Sequence, residues 1–466
     1  MVIQRGEPVH VWGDAEAGES ITVEFRGNRR TAVADPLGRW SVELPGGDAG
    51  GPFSLAVDAS NRINIEDVLV GDVWVASGQS NMGFALSEAQ NAGQEIAAAN
   101  MPQVRLLIVN QRFADFPQED LPLAMPWTVC TPATAANFSA VAYFFAREIA
   151  RREKVAVGIV DDAWGGTPAE AWTSMDALSR DASLMPVFSA WAAMADAQAT
   201  TARGEEKERK EADAAKAMGT NESLRLPWHP VFDSWAPGEL YNAMIAPLTH
   251  FPIRGVIWYQ GESNTDALRY PLYARLFRTL IQDWRSAWGE GDFPFLYVQI
   301  ANYRSGPGDG WPAVREAQLE TLSLVNTAMA VTIDIGDADN IHPKDKQDVG
   351  LRLALAARAI AYKEQVEYSG PIYRSMSRDG QRLRLYFDHA EDGLVARAEN
   401  LQGFEIAGAD GKFLPATAAI DGAAVELWNA DVPDPVEARY AWSDNPPSSL
   451  FNKAGLPASP FRTAQR

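Results

Sequence analysis

The alternation of apolar runs with helical patterns between residues 67 and 365 constrains this chain more than any other feature. The runs fall at 68–76, 104–109, 155–160, 253–258, 293–300 and 328–334, with hydrophobic residues at neighbouring positions rather than at every second one. Such a run reads as a strand buried on both faces, the habit of parallel strands covered by helices on each side. Between the runs the period changes to that of a helix. Ser139 stands as an N-cap before Val141, Phe144, Phe145 and Ile149 on one face, and Val349, Leu353, Ala356 and Ile360 share another. Strand and helix in turn predict a three-layer α/β/α domain with a mostly parallel sheet, over residues 67–365.

The flanks follow a different period. Residues 1–66 contain short alternating stretches, Ile21-Thr22-Val23-Glu24-Phe25 and Trp40-Ser41-Val42-Glu43-Leu44, split by Asp35-Pro36-Leu37-Gly38, and predict an N-terminal β-sandwich. Residues 366–466 return to strand periodicity in Leu383-Arg384-Leu385-Tyr386-Phe387 and Phe404-Glu405-Ile406-Ala407, which predicts a C-terminal β-rich domain. Within the α/β region, 178–235 breaks the alternation with a helical stretch, a charge run at 204–211 and an aromatic, proline-rich segment at 226–237. The charges read as a solvated helical face. The insertion as a whole is a candidate lid that would carry Trp228 and His229 toward a substrate.

Composition narrows the partners. A formal charge of −20 disfavours nucleic acid and anionic membrane surfaces, whose phosphates want clustered Lys and Arg. Cys130 is the single cysteine, which excludes an internal disulfide and a thiolate metal cluster. No dense grouping of His and acidic residues suggests a metal, so no metal and no cofactor are expected. No apolar run approaches the roughly 18 residues of a membrane span. The opening Met1-Val2-Ile3-Gln4-Arg5-Gly6 lacks the apolar core of a signal peptide, which favours the cytoplasm mildly and leaves a periplasmic or secreted protein with its signal removed as the alternative.

Chemistry concentrates at the ends of the predicted strands. The run at 68–76 ends in Gly78-Gln79-Ser80-Asn81-Met82, a small-residue turn that leaves the Ser80 hydroxyl at its tip. That is either a displayed nucleophile or an ordinary strand-to-helix turn. Serine attacks only when a base takes its proton, and Asp339-Asn340-Ile341-His342 offers an imidazole with a carboxylate three residues before it, a spacing at which Asp339 could orient His342. The chain has five histidines. Of the others, His10, His250 and His389 have no comparable acid at loop spacing, and His229, between Trp228 and Pro230, reads as packing or as a cleft wall. Two further turns follow strands: Trp164-Gly165-Gly166-Thr167-Pro168, where a glycine N–H could face an oxyanion, and Tyr259-Gln260-Gly261-Glu262-Ser263-Asn264, which presents side-chain amides. Arg315 reads as pairing with a cleft carboxylate or lying on a helix surface.

Together these four segments, in this order, resemble the SGNH-hydrolase superfamily and within it the sialate O-acetylesterase-like carbohydrate esterases. The resemblance extends from Val73-Trp74-Val75-Ala76-Ser77 through Ala169-Glu170-Ala171-Trp172 to Tyr440-Ala441-Trp442-Ser443-Asp444 and Leu456-Pro457-Ala458-Ser459, nearly the whole chain. It implies a flavodoxin-like SGNH core, with Ser80 as nucleophile, His342 as base and then acid, and Asp339 as its orienter. It implies the N–H groups of Ser80 and Gly166 as oxyanion donors, with Gly165 as the alternative. The superfamily's third block ordinarily ends in an asparagine; here it reads Gln-Gly-Glu, so Gln260 takes the third donor role, Asn264 is the alternative, and Glu262 and Gln79 become supporting or substrate contacts. Fifteen tryptophans are present, most of them expected in the core, with Trp164 and Trp228 the candidates for touching sugar. The activity implied is removal of O-acetyl groups from an acetylated carbohydrate. Plant polysaccharides of the xylan or xyloglucan type are preferred to sialic acid, because an acidic protein gains nothing from an anionic substrate. A non-catalytic carbohydrate-binding protein and a general short-chain serine esterase are the competing readings; the Gly-x-Ser-x-Gly elbow of the latter is missing, since Met82 occupies the last glycine's place.

Overall fold

The computed structural model describes residues 1–194, 232–306 and 308–463, with the single residues 210 and 214. The charge run at 204–211, apart from Lys210, and both Trp228 and His229 lie outside the described residues, as does most of the expected lid.

The N-terminal segment supplies β1 (Val2–Gln4), β2 (Pro8–Asp14), β3 (Ser20–Phe25), β4 (Asn28–Val33), β5 (Arg39–Pro45) and β6 (Gly50–Asp58). They are followed by β7 (Arg62–Gly78), which runs unbroken through the boundary expected near residue 66. Its first half pairs with β6 in antiparallel fashion and its second half is the centre of the α/β sheet. Residues 62–67 are exposed while 68–78 are buried throughout, so one strand changes from a half-solvated to a doubly covered environment along its length.

The core strands are β7, β8 (Met101–Val109), β9 (Leu123–Cys130), β10 (Ala156–Ala163), β11 (Gly255–Tyr259), β12 (Phe295–Val298) and β13 (Thr327–Ala330), in the spatial order β13-β12-β11-β7-β10-β8-β9. All pair in parallel except β9, an antiparallel edge on β8. The sheet is therefore mixed. Side chains of β7 alternate between two cores: Val73 and Val75 join one, Trp74 and Ala76 the other. Helix α1 (Ala140–Glu153), capped by Ser139 as expected, and α4 (Lys346–Ile360) cover the second face; α2 (Tyr270–Trp288) and α3 (Trp311–Glu320) cover the first. Trp258 centres the first core, edge-on to Trp172 and Trp284 at 6.1 and 5.6 Å.

Residues 372–463 form antiparallel strands in two four-stranded and one two-stranded sheets, whose Leu385, Phe404, Val425 and Phe461 belong to the same hydrophobic cluster as α2 and α3. Arg315 of α3 ties this segment on, and it is neither a cleft partner nor a surface group. It is fully buried and donates to the carbonyls of Ile300, Ala301, Ser443 and Asp444 at 2.8–2.9 Å. Burial lowers its pKa to about 9.

Candidate active site

β7 has β11 on one side and β10 on the other, and the chain order reverses there, so its carboxyl end opens a crevice at the switch point of the sheet. Gly78 ends the strand at φ +131°, and a Cβ there would stand 2.3 Å from the Tyr259 carbonyl oxygen, so only glycine lets the chain turn so close to β11. Ser80 follows, half-buried, at the edge of a cavity of about 490 Å³ that also involves Phe84, Glu88, Asp161, Gly165 and His342.

His342, 262 residues further on, brings its Nε2 to 2.7 Å from Ser80 Oγ. Phe84 stacks on the imidazole at 6.3 Å between centroids. Burial holds the imidazole below its ordinary pKa, the charge of Lys346 pushes the same way, and Glu88 opposes them. A histidine so placed is neutral near pH 7 and able to accept the serine proton.

Asp339 does not join this pair. Its carboxylate accepts from Arg304 Nη1 at 2.6 Å and its side chain is 75% exposed. The turn explains the direction: Asp337 accepts from the Asp339 N–H at 2.9 Å and Asn340 from the His342 N–H at 3.0 Å, so the local polar groups satisfy one another and Asp339 points outward. The expectation that it hydrogen-bonds His342 is corrected accordingly.

The amides of the third block are also otherwise engaged. Gln260 is fully buried; its NH₂ donates to the Thr167 carbonyl at 3.2 Å and to Asn264 Oδ1 at 2.7 Å, and its oxygen accepts from Tyr273 at 3.0 Å. Both amide hydrogens are spent, so the third-donor role expected of it is not built here. Asn264, likewise fully buried, accepts from the Ala169 N–H at 2.9 Å and donates to Glu170 at 2.8 Å. The two amides hold the 164–172 turn in place. Of the glycines in that turn, Gly165 lies against Ser80, where a Cβ would sit 3.2 Å from Ser80 Cβ, while Gly166 takes φ +75° beside it. Among the described residues, the N–H groups of Ser80, Gly165 and Gly166 have no protein acceptor.

The remaining expectations divide. Gln79 is buried and its oxygen accepts from the Gly261 and Ser263 N–H groups, both at 3.3 Å, which locks the first block to the third. Glu262 accepts from Asn81 at 2.6 Å, and its other oxygen is buried without a partner among the described residues. Trp164 is half-buried and faces Phe113 at 6.5 Å.

Three residues without an assigned role in the sequence reading prove central. Asn81, 1% exposed, donates to Glu262 and, at 3.0 Å, to the Ile341 carbonyl, and accepts from Lys346 Nζ at 2.5 Å. It therefore ties the Ser80 turn to the His342 turn. Lys346 is fully buried, with its pKa lowered to about 7 by burial. It sits on the core stripe of α4 with Val349 and Leu353, and a lysine in that stripe is a signal the sequence offered. Asp161, at the end of β10, accepts from the Ser139 N–H at 3.2 Å, and burial raises it to about 7.

Comparison with known proteins places the chain in a family. The profile of the family described as "Carbohydrate esterase, sialic acid-specific acetylesterase" matches residues 70–194 and 228–361, more than half of the chain. A sialate O-acetylesterase of Pongo abelii is 31% identical over 99% of this chain and 90% of its own length, and that of Mus musculus is 31% identical over 99% and 92%. A crystal structure of a carbohydrate acetylesterase from Xanthomonas citri superposes with a TM-score of 0.85 at 40% identity, covering 100% of this chain and 97% of that one. The chain belongs to the sialic acid-specific acetylesterase family of carbohydrate esterases, and it is a carboxylic ester hydrolase.

Proposed function

We propose that this esterase is a serine O-acetylesterase acting on an acetylated neutral polysaccharide of the xylan or xyloglucan type through an acetyl-enzyme intermediate. The observation that carries the reading is the 2.7 Å contact between Ser80 Oγ and His342 Nε2 at the mouth of the cavity. Ser80 attacks the acetyl carbonyl as His342 takes its proton; His342 then gives that proton to the departing sugar oxygen. Water repeats the cycle on the acetyl-enzyme and releases acetate. The Ser80 N–H and a glycine N–H of the 165–166 pair receive the oxyanion, each such donor being worth about 10² to 10³ in rate. Asp339 does not enter the proton line, because Arg304 holds its carboxylate.

The preference for a neutral glycan rests on charge. Glu88 faces the Ser80 cavity, and among the described residues no Lys or Arg lines it. An anionic sugar would find no cationic side chain there. O-acetylated sialic acid is the second reading, favoured by what the mammalian relatives are named for.

Hydrolysis of 4-nitrophenyl acetate tests the nucleophile: Ser80→Ala should lose at least about 10³ in kcat/KM, and a variant as active as wild type refutes it. Acetate release from acetylated xylan, xyloglucan, pectin and sialic acid tests the substrate. Release fastest from the sialic acid would overturn the polysaccharide reading while leaving the serine chemistry intact.

A further inference from the structure

A second cleft, of about 1030 Å³, lies where β2 and β5 meet the segment 246–250, and it shares no lining residue with the Ser80 cavity. The antiparallel register of β2 on β5 sends Val9, Val42 and Leu44 into the N-terminal core and leaves His10 and Trp12 on the opposite face. There the rings of His10 and Trp12 stack at 5.0 Å, and His250 meets both edge-on at 5.9 and 6.0 Å. Trp12 is nevertheless 41% exposed. Opposite Gly13, Trp40 lies across the strand so closely that a Cβ on Gly13 would come within 3.2 Å of its ring, and it too borders the cleft.

Among the described residues the charged lining is mostly acidic. Asp14, Asp35, Glu119 and Asp120 stand against a single guanidinium, that of Arg39, which Glu119 already holds at 2.7 Å. Carboxylates accept hydrogen bonds from hydroxyl groups, and their field rejects an anionic ligand. An open aromatic platform beside such acceptors suits a pyranose ring, whose apolar C–H face stacks on an indole while its hydroxyls reach the rim. The cleft is at the upper end of the volume of a small-molecule site, which leaves room for several sugar units. One loop also joins it to the chemistry: Asn110 and Gln111 line the Ser80 cavity, and Pro117 to Asp120 line the aromatic cleft.

We infer that this cleft is a binding subsite for a neutral glycan, lined by other residues than the Ser80 cavity, with Trp12 as its stacking platform. The inference rests on the carbohydrate reading of the active site. It gives the enzyme a hold on the polymer that does not depend on the acetyl group.

Calorimetric titration of the full chain with xylohexaose and cellohexaose, which carry no acetyl group, tests it. Wild type should bind at least one of them, Trp12→Ala should weaken that binding at least tenfold, and Trp12→Phe should recover most of it. Turnover of 4-nitrophenyl acetate should stay within twofold in both variants, which establishes that they are folded. No binding by wild type, or equal binding by Trp12→Ala, overturns the subsite, as does tighter binding of sialyllactose than of either hexaose. Failure of the serine mechanism would show separately, as undiminished aryl-acetate hydrolysis by Ser80→Ala.

Discussion

Truncating Asn81 to alanine should do more damage than its uncharged side chain suggests. The amide bridges two buried ionisable groups, Glu262 at 2.6 Å and Lys346 at 2.5 Å, and holds the Ile341 carbonyl at 3.0 Å. Burial raises the pKa of Glu262 and lowers that of Lys346, so both depend on local hydrogen bonds for what stability their ionised forms have. Each bond to a charged group contributes about 1.5–3 kcal/mol, and leaving a buried polar partner unsatisfied costs about 1–3 kcal/mol, more where that partner is charged. The three bonds share one side chain, so their losses do not add, and we expect Asn81→Ala to lower the unfolding free energy by about 4 kcal/mol. Activity should fall as well. Without the Ile341 bond the His342 turn is no longer tied to the Ser80 turn, and a displacement of about 1 Å at a reacting pair costs about 10² in rate. Asn81→Asp offers a sharper comparison, since it keeps an acceptor for Lys346 but sets a second carboxylate against Glu262. It should be at least as destabilised as the alanine variant at neutral pH. Urea unfolding and 4-nitrophenyl acetate kinetics measure both effects. An alanine variant within about 0.5 kcal/mol of wild type, with a rate within twofold, would refute the bridging role.

Two further outcomes follow from the charges around the imidazole. Burial, then Lys346, keeps the His342 pKa below 6.5, and only the neutral ring can take the serine proton. The acid limb of kcat/KM should therefore have its midpoint below pH 6.5, with activity rising as pH rises through it. Lys346→Met removes a positive charge that opposes protonation, so the midpoint should move upward; a downward or absent shift contradicts the assignment. Asp339→Asn should cost less than about tenfold in kcat/KM, because Arg304 holds that carboxylate outside the site. An aspartate that orients a catalytic histidine is worth about 10⁴, and a loss of that size would show that Asp339 reaches the imidazole during turnover.

What the sequence disclosed, and what it withheld, follows from the range of the interactions concerned. Ser80 and His342 could be read because each stands in a short segment whose backbone is dictated locally, a glycine-ended strand for one and a polar turn for the other. The doubly buried strands could be read because two helical layers leave their mark on every residue of a run such as Val73-Trp74-Val75-Ala76. The edge strand β9 left no such mark: Leu123–Cys130 carries Pro126 and pairs on one side only, so its pattern is that of a loop. Gln260 and Asp339, engaged elsewhere, share another cause. Gln260 has the right chemistry at the right strand end, but the Thr167 carbonyl and Asn264 consume both of its hydrogens, and Thr167 lies 93 residues away in the chain. Asp339 has the right spacing, yet Arg304, 35 residues earlier, decides where its carboxylate goes. Residue type and local spacing specify what a group can do; its partners across the fold decide whether that capacity is still free. On that principle the groups to rank highest for chemistry are those whose bonding capacity the fold leaves open: the Ser80, Gly165 and Gly166 N–H groups beside a serine already aimed at an imidazole.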